Sequence, residues 1–352
     1  MKKIDQSKPV MVTGATGYVA GRLVEKLLKE GMTVHAAVRS PENQEKTKYL
    51  DAIAANSSGS IKYFKADLLE EGSFDAATQG CELIFHTASP FTLSIKDPQK
   101  DLIDPALKGT QNVLNAATKF GSVKRVVVTS SCAAIYGDAK DILSMPNQTM
   151  TEDAWNTTSS LDHQPYSYSK TLAEKEAWKM MKAQEQWDVV VVNPSFVIGP
   201  GINPHGTSET FEIMKMMGNG DMKMGAPAFN IGAVDVRDLA TAHFQAGFTP
   251  EAEGRHIISA ENSSFLGLAA MLKPNYPNYP LPSRKLPKFM VWLAGPSQGM
   301  PRKMVAKNIG YPFKADNSKS IEKLGMNYRP LSETINDFFA HLIEEGVIHK
   351  PK

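Results

Sequence analysis

The sequence predicts an α/β fold, a doubly wound parallel sheet followed by a smaller C-terminal region, and three observations support this class. Short β-branched runs alternate with amphipathic helical stretches through the first half of the chain, which is typical of a parallel sheet covered by helices. A strand, a glycine turn and a helix follow one another near the start. With 352 residues, 42% of them apolar, the chain can bury a large core.

The first half supplies most of the predicted elements. β-Branched runs predict strands, and the stretches between them carry apolar residues at helical spacing. Pro105 should kink the third helix or start it afresh, because proline cannot donate a backbone hydrogen bond. The predicted strands are Val10–Thr13, Thr33–Arg39, Ile61–Lys65, Leu83–Thr87, Arg125–Ser130 and Asp188–Asn193, and the predicted helices are Gly17–Glu30, Asn43–Ala54, Asp101–Phe120 and Ser167–Gln184.

The regular alternation fades after Pro194, where proline, glycine, asparagine and methionine become dense. We therefore expect residues 1–194 to form the sheet domain, with part of its sheet completed by 230–260, and residues 195–352 to form mainly a second region. In that region we predict strands at Gly232–Val236 and His256–Ser259, a final helix at Leu331–Glu345, and an extended connector at Pro274–Pro287.

Charge and apolar content exclude several classes of protein. Lys and Arg number 39 against 37 Asp and Glu, for a net charge of +2, which is too small to attract a nucleic acid to the whole surface. No apolar run approaches the roughly 18 residues of a membrane span. The start, MKKIDQSKPV, has no apolar segment behind its basic residues, so we expect no secretory signal and a cytoplasmic protein.

Cysteine and histidine usage argues against bridges and metals. Cys81 and Cys132 both lie beside apolar strand-like runs, so buried free thiols are favoured over a disulfide. The eight histidines form no ligand-spaced cluster, and we expect no metal site. The sequence leaves open whether the protein is a monomer or a homodimer.

The glycine turn near the start indicates a phosphate-binding loop. In Val10-Met-Val-Thr-Gly14-Ala-Thr-Gly17-Tyr-Val-Ala20, Gly14 would permit a tight turn and Gly17 a close approach to a pyrophosphate, while Ala20 allows close helix packing. The following helix start would direct N–H groups at the phosphates. This pattern predicts a Rossmann-type dinucleotide site.

The end of the second strand indicates which coenzyme binds. An NAD site usually has an acidic residue there for the ribose 2′-hydroxyl, whereas a 2′-phosphate requires a cation. The strand Thr33–Arg39 has no acidic residue and ends in Arg39, whose guanidinium can hold a phosphate through two bonds. Lys46 could add a second positive charge. The missing acidic residue and these cations together predict NADP(H).

A tyrosine and a lysine four residues apart provide a candidate acid–base pair. Tyr166-Ser-Tyr-Ser-Lys170 opens a predicted helix, so phenol and ammonium would share one face. A nearby cation favours the phenolate, and Tyr166 would donate a proton to a carbonyl oxygen. Tyr136 and Lys140 match the same spacing, but Gly137 and Asp138 between them disfavour a helix, and Tyr168 has leucine at its fourth position. We reject both.

A serine at the end of the fifth strand completes the catalytic set. The strand runs Arg125-Val-Val-Val-Thr-Ser130-Ser131, and the carboxyl ends of such strands face the ligand crevice. A hydroxyl there can hold a substrate oxygen without acting as a nucleophile.

These motifs together resemble those of the extended short-chain dehydrogenase/reductase family, within the NAD-dependent epimerase/dehydratase superfamily. The likeness is strongest to its branch of dihydroflavonol, cinnamoyl-CoA and methylglyoxal or aldehyde reductases, and covers most of residues 9–260. It rests on Thr13–Gly17, His86-Thr-Ala-Ser-Pro90, Thr129-Ser-Ser131 and Tyr166–Lys170.

The resemblance implies roles for individual residues. Ser131 rather than Ser130 would be the catalytic serine beside Tyr166 and Lys170, residues 1–194 would bind NADP, and 195–352 would bind mainly the substrate. Arg39 and Lys46 would contact the 2′-phosphate, and Asp67 and Leu68 would flank the adenine. Thr87, Ala88 and Ser89 would line the coenzyme ribose, and Pro194–Val197 would contact the nicotinamide carboxamide. The full implied coenzyme set is Gly14, Thr16, Gly17, Tyr18, Val19, Arg39, Lys46, Asp67, Leu68, Thr87, Ala88, Ser89, Thr129, Tyr166, Lys170, Pro194 and Val197.

The substrate is expected to be a small carbonyl compound, apolar or aromatic. Contacts would come from Phe91, Ser131 and the methionine-rich stretch around Met214 and Met217, although these methionines could instead simply pack a helix. The leading hypothesis is an NADPH-dependent aldehyde or ketone reductase. The alternatives are a hydroxysteroid-type dehydrogenase, a nucleotide-sugar epimerase or dehydratase, and a non-catalytic NADP sensor.

Overall fold

The computed structural model describes residues 2–89, 95–206 and 208–351. The strands are β1 (Val10–Thr13), β2 (Thr33–Val38), β3 (Ser60–Lys65), β4 (Leu83–His86), β5 (Arg125–Thr129), β6 (Asp188–Pro194), β7 (Phe196–Ile198), β8 (Ala226–Pro227), β9 (Asn230–Asp235), β10 (Gly254–Ile258), β11 (Glu261–Ser264) and β12 (Lys285–Leu286). The α-helices are α1 (Tyr18–Lys29), α2 (Gln44–Ala55), α3 (Asp75–Thr78), α4 (Asp104–Lys119), α5 (Pro165–Lys182), α6 (Glu209–Asn219), α7 (Val236–Phe248), α8 (Phe265–Leu272), α9 (Lys288–Ala294), α10 (Arg302–Asn308), α11 (Ser318–Leu324) and α12 (Leu331–Glu344).

A seven-stranded parallel sheet forms the centre, in the order β10-β6-β5-β4-β1-β2-β3. This confirms the predicted doubly wound α/β class. The chain order reverses between β1 and β4, so the crevice at the carboxyl ends of these strands is the expected ligand position. Every strand predicted in the first half is present, with boundaries that agree to within one residue.

Helices cover both faces of this sheet because its strand residues point alternately to either side. Val10 and Val12 belong to the core that α1 and α7 cover, while Met11 belongs to the opposite core, under α4 and α5. Pro105 is the second residue of α4, after a π-helical turn at Gln99–Ile103. A helix therefore starts afresh there, one of the two outcomes expected from the sequence.

The second region differs more from prediction. The segment predicted as Gly232–Val236 is β9, but it lies in a separate three-stranded sheet, in the order β11-β9-β7. Within 230–260 it is β10 that joins the central sheet, beside β6. The helix α7 was not predicted. It begins directly after β9, where the Asp235 side chain caps it by accepting a hydrogen bond from Arg237 N.

A third core lies between the small sheet and α6, α8 and α12. Met214 and Met217 belong to it, with 0% exposure. The alternative considered from the sequence, that these methionines pack a helix, fits this position, whereas a substrate-contacting role would require the core to open.

Two predictions about the wider molecule can be compared with the structure. Cys81 and Cys132 are both free and buried, which confirms the expected thiol state. Among the described helices, none combines the length and apolar character needed to cross a bilayer.

Candidate active site

The glycine turn after β1 has the conformation that a phosphate-binding loop requires. Gly14 adopts φ +64°, and a Cβ there would lie 3.1 Å from Ala88 Cβ. Gly17 donates from N to Gly14 O at 2.8 Å, and a Cβ on Gly17 would lie 3.0 Å from that same oxygen. The turn is thus compact and side-chain-free just before α1 begins at Tyr18, leaving the helix N-terminus open to an anion.

The Thr13 hydroxyl joins this turn to the end of β4. Its Oγ1 accepts hydrogen bonds from Thr87 N at 3.1 Å and Ala88 N at 3.0 Å, and it lies 3.0 Å from His86 Nδ1. Burial, and secondarily the charge of Lys170, lowers the pKa of His86 to about 3. The imidazole is therefore neutral and can accept the threonine proton. Residues 87–89, expected beside the coenzyme ribose, are fixed next to the turn.

The expected adenosine contacts follow along the same edge, because β1, β2 and β3 are neighbours. Arg39 is exposed directly after β2, and it forms no ion pair with the side chains that the structure describes. Lys46 is exposed in the first turn of α2. Asp67 and Leu68 follow β3, where Asp67 Oδ1 accepts from Leu69 N at 2.9 Å. The structure therefore leaves the Arg39 guanidinium exposed and, within the described residues, without an ion pair, as the sequence argument for a 2′-phosphate contact requires.

The candidate acid–base pair lies at the start of α5. Tyr166 is the second residue of the helix, and Lys170 Nζ lies 5.9 Å from the centre of its ring. Lys170 is 8% exposed, and burial lowers its pKa to about 8, against an opposing effect of Glu174. The helical arrangement agrees with the expectation from the Tyr166–Lys170 spacing.

The pKa of the phenol differs from expectation. Desolvation, and secondarily Glu209, raises the pKa of Tyr166 to about 12, whereas the sequence argument expected the ammonium to lower it. The reason is that desolvation of the hydroxyl favours the neutral phenol. Because the residue remains 42% exposed, screening by solvent reduces this rise in the pKa. Tyr166 therefore carries its proton at neutral pH.

Ser131 follows β5 and caps a short 3₁₀ turn. Its Oγ accepts from Ala133 N at 3.1 Å, and its carbonyl oxygen accepts from Asn193 Nδ2 at 3.1 Å. Thr129, one of the implied coenzyme contacts, instead uses its hydroxyl toward His243 Nε2 at 2.7 Å. Because His243 Nδ1 donates to Leu239 O at 2.8 Å, the Thr129 hydroxyl donates to Nε2.

One crevice brings much of the predicted set together. It is lined by the end of β4, the end of β5, and one face of α5, with Leu68 and α4 opposite. Its lining residues include His86, Ala88, Ser89, Thr129, Ser130, Lys170 and Glu174. The predicted coenzyme edge and the lysine of the acid–base pair therefore meet in one place.

The remaining predicted positions lie around this crevice. Pro194 ends β6, and Val197 in β7 pairs with Val234. Tyr18 donates from its hydroxyl to Gly199 O at 2.7 Å, which ties α1 to the loop after β7. Thr16 and Val19 flank the glycine turn and are partly buried. Phe91, predicted to contact substrate, lies outside the described residues.

The second Tyr/Lys match has a different environment. Tyr136 precedes a 3₁₀ helix at Ala139–Ser144, and its ring packs edge-on against Phe313 at 5.7 Å. Lys140 is exposed. A Cβ at Gly137 would lie 2.3 Å from Thr158 Oγ1, so the glycine serves close packing between two loops. The pair does not share an α-helical face.

Sequence reasoning missed two buried carboxylates near the site. Glu174, one turn after Lys170, accepts from Asn193 Nδ2 at 2.9 Å and pairs with Arg255 at 2.6 Å. The sequence signal that could have placed Glu174 on the same helix face as Lys170 is their i,i+4 spacing. Asp138 pairs with His163, two residues before α5 begins, at 2.7 Å, and no local pattern indicated it. Among the described residues, no three acidic, histidine or cysteine side chains cluster as a metal site would require.

Comparisons with known proteins gave clear matches in both sequence and fold. The sequence model of the NAD dependent epimerase/dehydratase family matches residues 10–257. A cinnamoyl-CoA reductase of Medicago truncatula is 38% identical over 339 residues, 96% of each chain. An anthocyanidin reductase of Vitis vinifera is 35% identical over 284 residues, 78% of this chain and 83% of that protein. Yeast methylglyoxal/isovaleraldehyde reductase, solved in complex with NADPH, superposes with a TM-score of 0.79 at 28% identity, covering 97% of this chain and all of that one.

Proposed function

The chain belongs to the NAD dependent epimerase/dehydratase family, within its extended short-chain dehydrogenase/reductase class, and we propose that it is an NADPH-dependent reductase of aldehydes or ketones. The observation that carries this proposal is the position of Lys170 and Tyr166 at the start of α5. Lys170 lines the same crevice as Ala88, which follows β4 and packs next to the glycine turn. The relatives reported above are named reductases.

NADP(H) is the coenzyme, as in the NADPH complex of the yeast neighbour. Gly14 and Gly17 would receive the pyrophosphate, because a Cβ at either position would crowd the turn. Arg39 would bind the 2′-phosphate, since its guanidinium is exposed and lacks an ion pair among the described residues. When bound, NADPH supplies a hydride to the carbonyl carbon.

The protein's own residues handle the proton. Tyr166 donates its phenolic proton to the carbonyl oxygen, which becomes a hydroxyl group, and the exposed side of the ring allows water to restore that proton. Ser131 Oγ would hold the carbonyl oxygen in place. Lys170, protonated below a pKa of about 8, would hold the coenzyme ribose and stabilise negative charge developing on the Tyr166 oxygen.

An apolar or aromatic carbonyl compound is the proposed substrate class. The half-buried rings of Phe196, Phe265 and Phe229 form a row with centroid distances of 6.2 and 6.0 Å, beginning one residue before Val197. Such a row offers flat apolar surface beside the expected nicotinamide position. The relatives named for cinnamoyl-CoA and isovaleraldehyde reduction act on compounds of this kind.

A substrate panel tests the proposal. Purified protein and NADPH are mixed with aliphatic aldehydes, α-ketocarbonyls, aryl ketones, cinnamoyl thioesters and dihydroflavonols, and NADPH oxidation is followed by absorbance. We expect net oxidation with at least one apolar or aromatic carbonyl. Tightly retained coenzyme without net oxidation would instead indicate an epimerase, and NADPH binding without turnover of any carbonyl would indicate a sensor.

A further inference from the structure

We propose that Glu174 is a positioning residue that holds the catalytic helix α5 against three adjacent strands of the central sheet and thereby places Lys170 and Ser131. This inference rests on the proposed function. Glu174 lies one turn after Lys170, on the same face of the helix, and is 1% exposed. Neither the sequence motifs nor the known roles of the catalytic set account for a carboxylate in this position.

Both carboxylate oxygens of Glu174 are engaged. Oε2 accepts from Asn193 Nδ2 at 2.9 Å and from the Ser130 hydroxyl. Oε1 lies 2.6 Å from Arg255 Nε and accepts from Trp178 Nε1 at 3.3 Å. Arg255 Nη2 also donates to Oε2, at 3.5 Å. A carboxylate that accepts from four side chains has little remaining capacity to accept a proton from a substrate. Its arrangement indicates support rather than chemistry.

The donors come from three adjacent strands of the central sheet. Ser130 directly follows β5, Asn193 is in β6, and Arg255 is in β10, and the sheet order is β10-β6-β5. Ser130 and Asn193 lie at the carboxyl ends of their strands, whereas Arg255 is the second residue of β10, in register with Val191. One side chain of α5 therefore fixes the helix relative to three adjacent strands.

Asn193 extends this support to Ser131. Its side-chain nitrogen donates to Glu174 Oε2 at 2.9 Å and to Ser131 O at 3.1 Å, and an amide has two hydrogens for these two bonds. The backbone of Ser131 and the helix that carries Tyr166 and Lys170 are thus joined through two hydrogen bonds. A shift of the carboxylate would alter the distance between the serine and the acid–base pair.

Glu174 also acts on the charge of Lys170. Burial lowers the pKa of the ammonium, and the Glu174 carboxylate opposes that effect. The other titratable groups facing Lys170 are Tyr166 on its own helix and His86 at the end of β4. His86 is neutral, and Arg255 pairs with the carboxylate from β10. Glu174 is thus the negative charge that helps Lys170 stay protonated in a buried crevice.

The test compares Glu174→Gln with Glu176→Gln. Glu176 lies on the same helix, pairs with Lys179 at 3.1 Å and accepts from Gln111 at 3.0 Å, so it controls for the loss of one ion pair. With active sites counted by NADPH titration, we expect Glu174→Gln to lower kcat by about 10- to 100-fold, the effect of misplaced catalytic groups. The Lys170 pKa, followed in the coenzyme-free protein by NMR of the lysine ε-carbon, should fall, and the alkaline limb of kcat should move to lower pH.

A second variant keeps the test decisive if Glu174→Gln fails to fold. Glu174→Gln alone leaves the Arg255 guanidinium buried without its anion. Replacement of both members of a buried ion pair by uncharged groups is often tolerated. The variant Glu174→Gln/Arg255→Met removes both charges and should fold with a reduced kcat and a lowered Lys170 pKa. If a folded variant matches Glu176→Gln in kcat per active site and in the Lys170 pKa, Glu174 is only structural and the inference is wrong. An inactive wild-type protein would instead refute the proposed function.

Discussion

Replacing Gly14 by alanine should weaken both the fold and coenzyme binding. The backbone at Gly14 has φ +64°, a conformation that costs an L-residue roughly 1–2 kcal/mol. The new Cβ would also lie 3.1 Å from Ala88 Cβ and 3.2 Å from Ala88 Cα. The Ala88 backbone is held by Thr13 Oγ1 at 3.0 Å, so it cannot retreat without breaking that bond. We expect Gly14→Ala to lose about 2 kcal/mol of unfolding free energy.

Gly21 offers a matched control within the same motif region. It lies inside α1, and a Cβ there would meet Ile202 at an ordinary distance of 3.6 Å. Alanine in a helix interior is favoured over glycine by up to about 1 kcal/mol. Gly21→Ala should therefore keep or raise stability, which separates the effect of the turn geometry from that of adding a methyl group.

Urea unfolding with and without NADPH measures both effects. At 100 times its Kd, the coenzyme should stabilise the wild type by about 2.7 kcal/mol. Gly14→Ala should lose most of that increment, because the methyl group occupies the space between the turn and Ala88. If Gly14→Ala unfolds at the wild-type urea concentration and gains the same stabilisation from NADPH, then the turn is not the pyrophosphate site.

Three further predictions concern charge and burial. Arg39→Gln should weaken NADPH binding by about 1.5–3 kcal/mol while leaving NADH binding unchanged, and Lys46→Gln should have a smaller effect. Isothermal titration calorimetry measures both affinities, and an equal loss for the two coenzymes would contradict the prediction. Burial lowers the Lys170 pKa from 10.5 to about 8, so the unfolded chain binds more protons between these pH values and unfolding free energy should rise with pH across that window. Lys170→Met should abolish that rise and add up to about 3 kcal/mol to the free energy of unfolding at pH 7. A wild-type unfolding free energy that does not change with pH in urea denaturation would refute this prediction. Burial raises the pKa of the Cys81 thiol to about 12 and that of Cys132 further, so both should resist a disulfide reagent in the native protein and react in urea; fast native labelling would show that they are accessible.

The central sheet could be predicted because its signals are local. Strands buried on both faces appear in the sequence as short apolar runs such as Val126–Val128, and the helices between them carry their own periodicity. The glycine turn and the Tyr166–Lys170 spacing are also contained within a few residues. For this reason the strand boundaries agreed closely with the structure.

The second region could not be predicted equally well, because its structure depends on distant pairings. At the junction of β9 and α7 no glycine or proline separates strand from helix, so the predicted strand continued to Val236. The separate small sheet exists because β7 pairs with β9. Three partners of Glu174, namely Asn193, Ser130 and Arg255, lie 19, 44 and 81 residues away in the chain, beyond any pattern in the sequence around Lys170.

The most direct test of the account is the turnover of Tyr166→Phe under saturating NADPH. The substitution removes only the phenolic oxygen, and a positioned general acid typically contributes 10²–10⁴-fold to the rate. With the best carbonyl compound from the substrate panel, we predict a fall in kcat of at least about 100-fold, with NADPH affinity nearly unchanged. A Tyr166→Phe protein that oxidises NADPH at the wild-type rate would contradict the assignment of Tyr166 as proton donor.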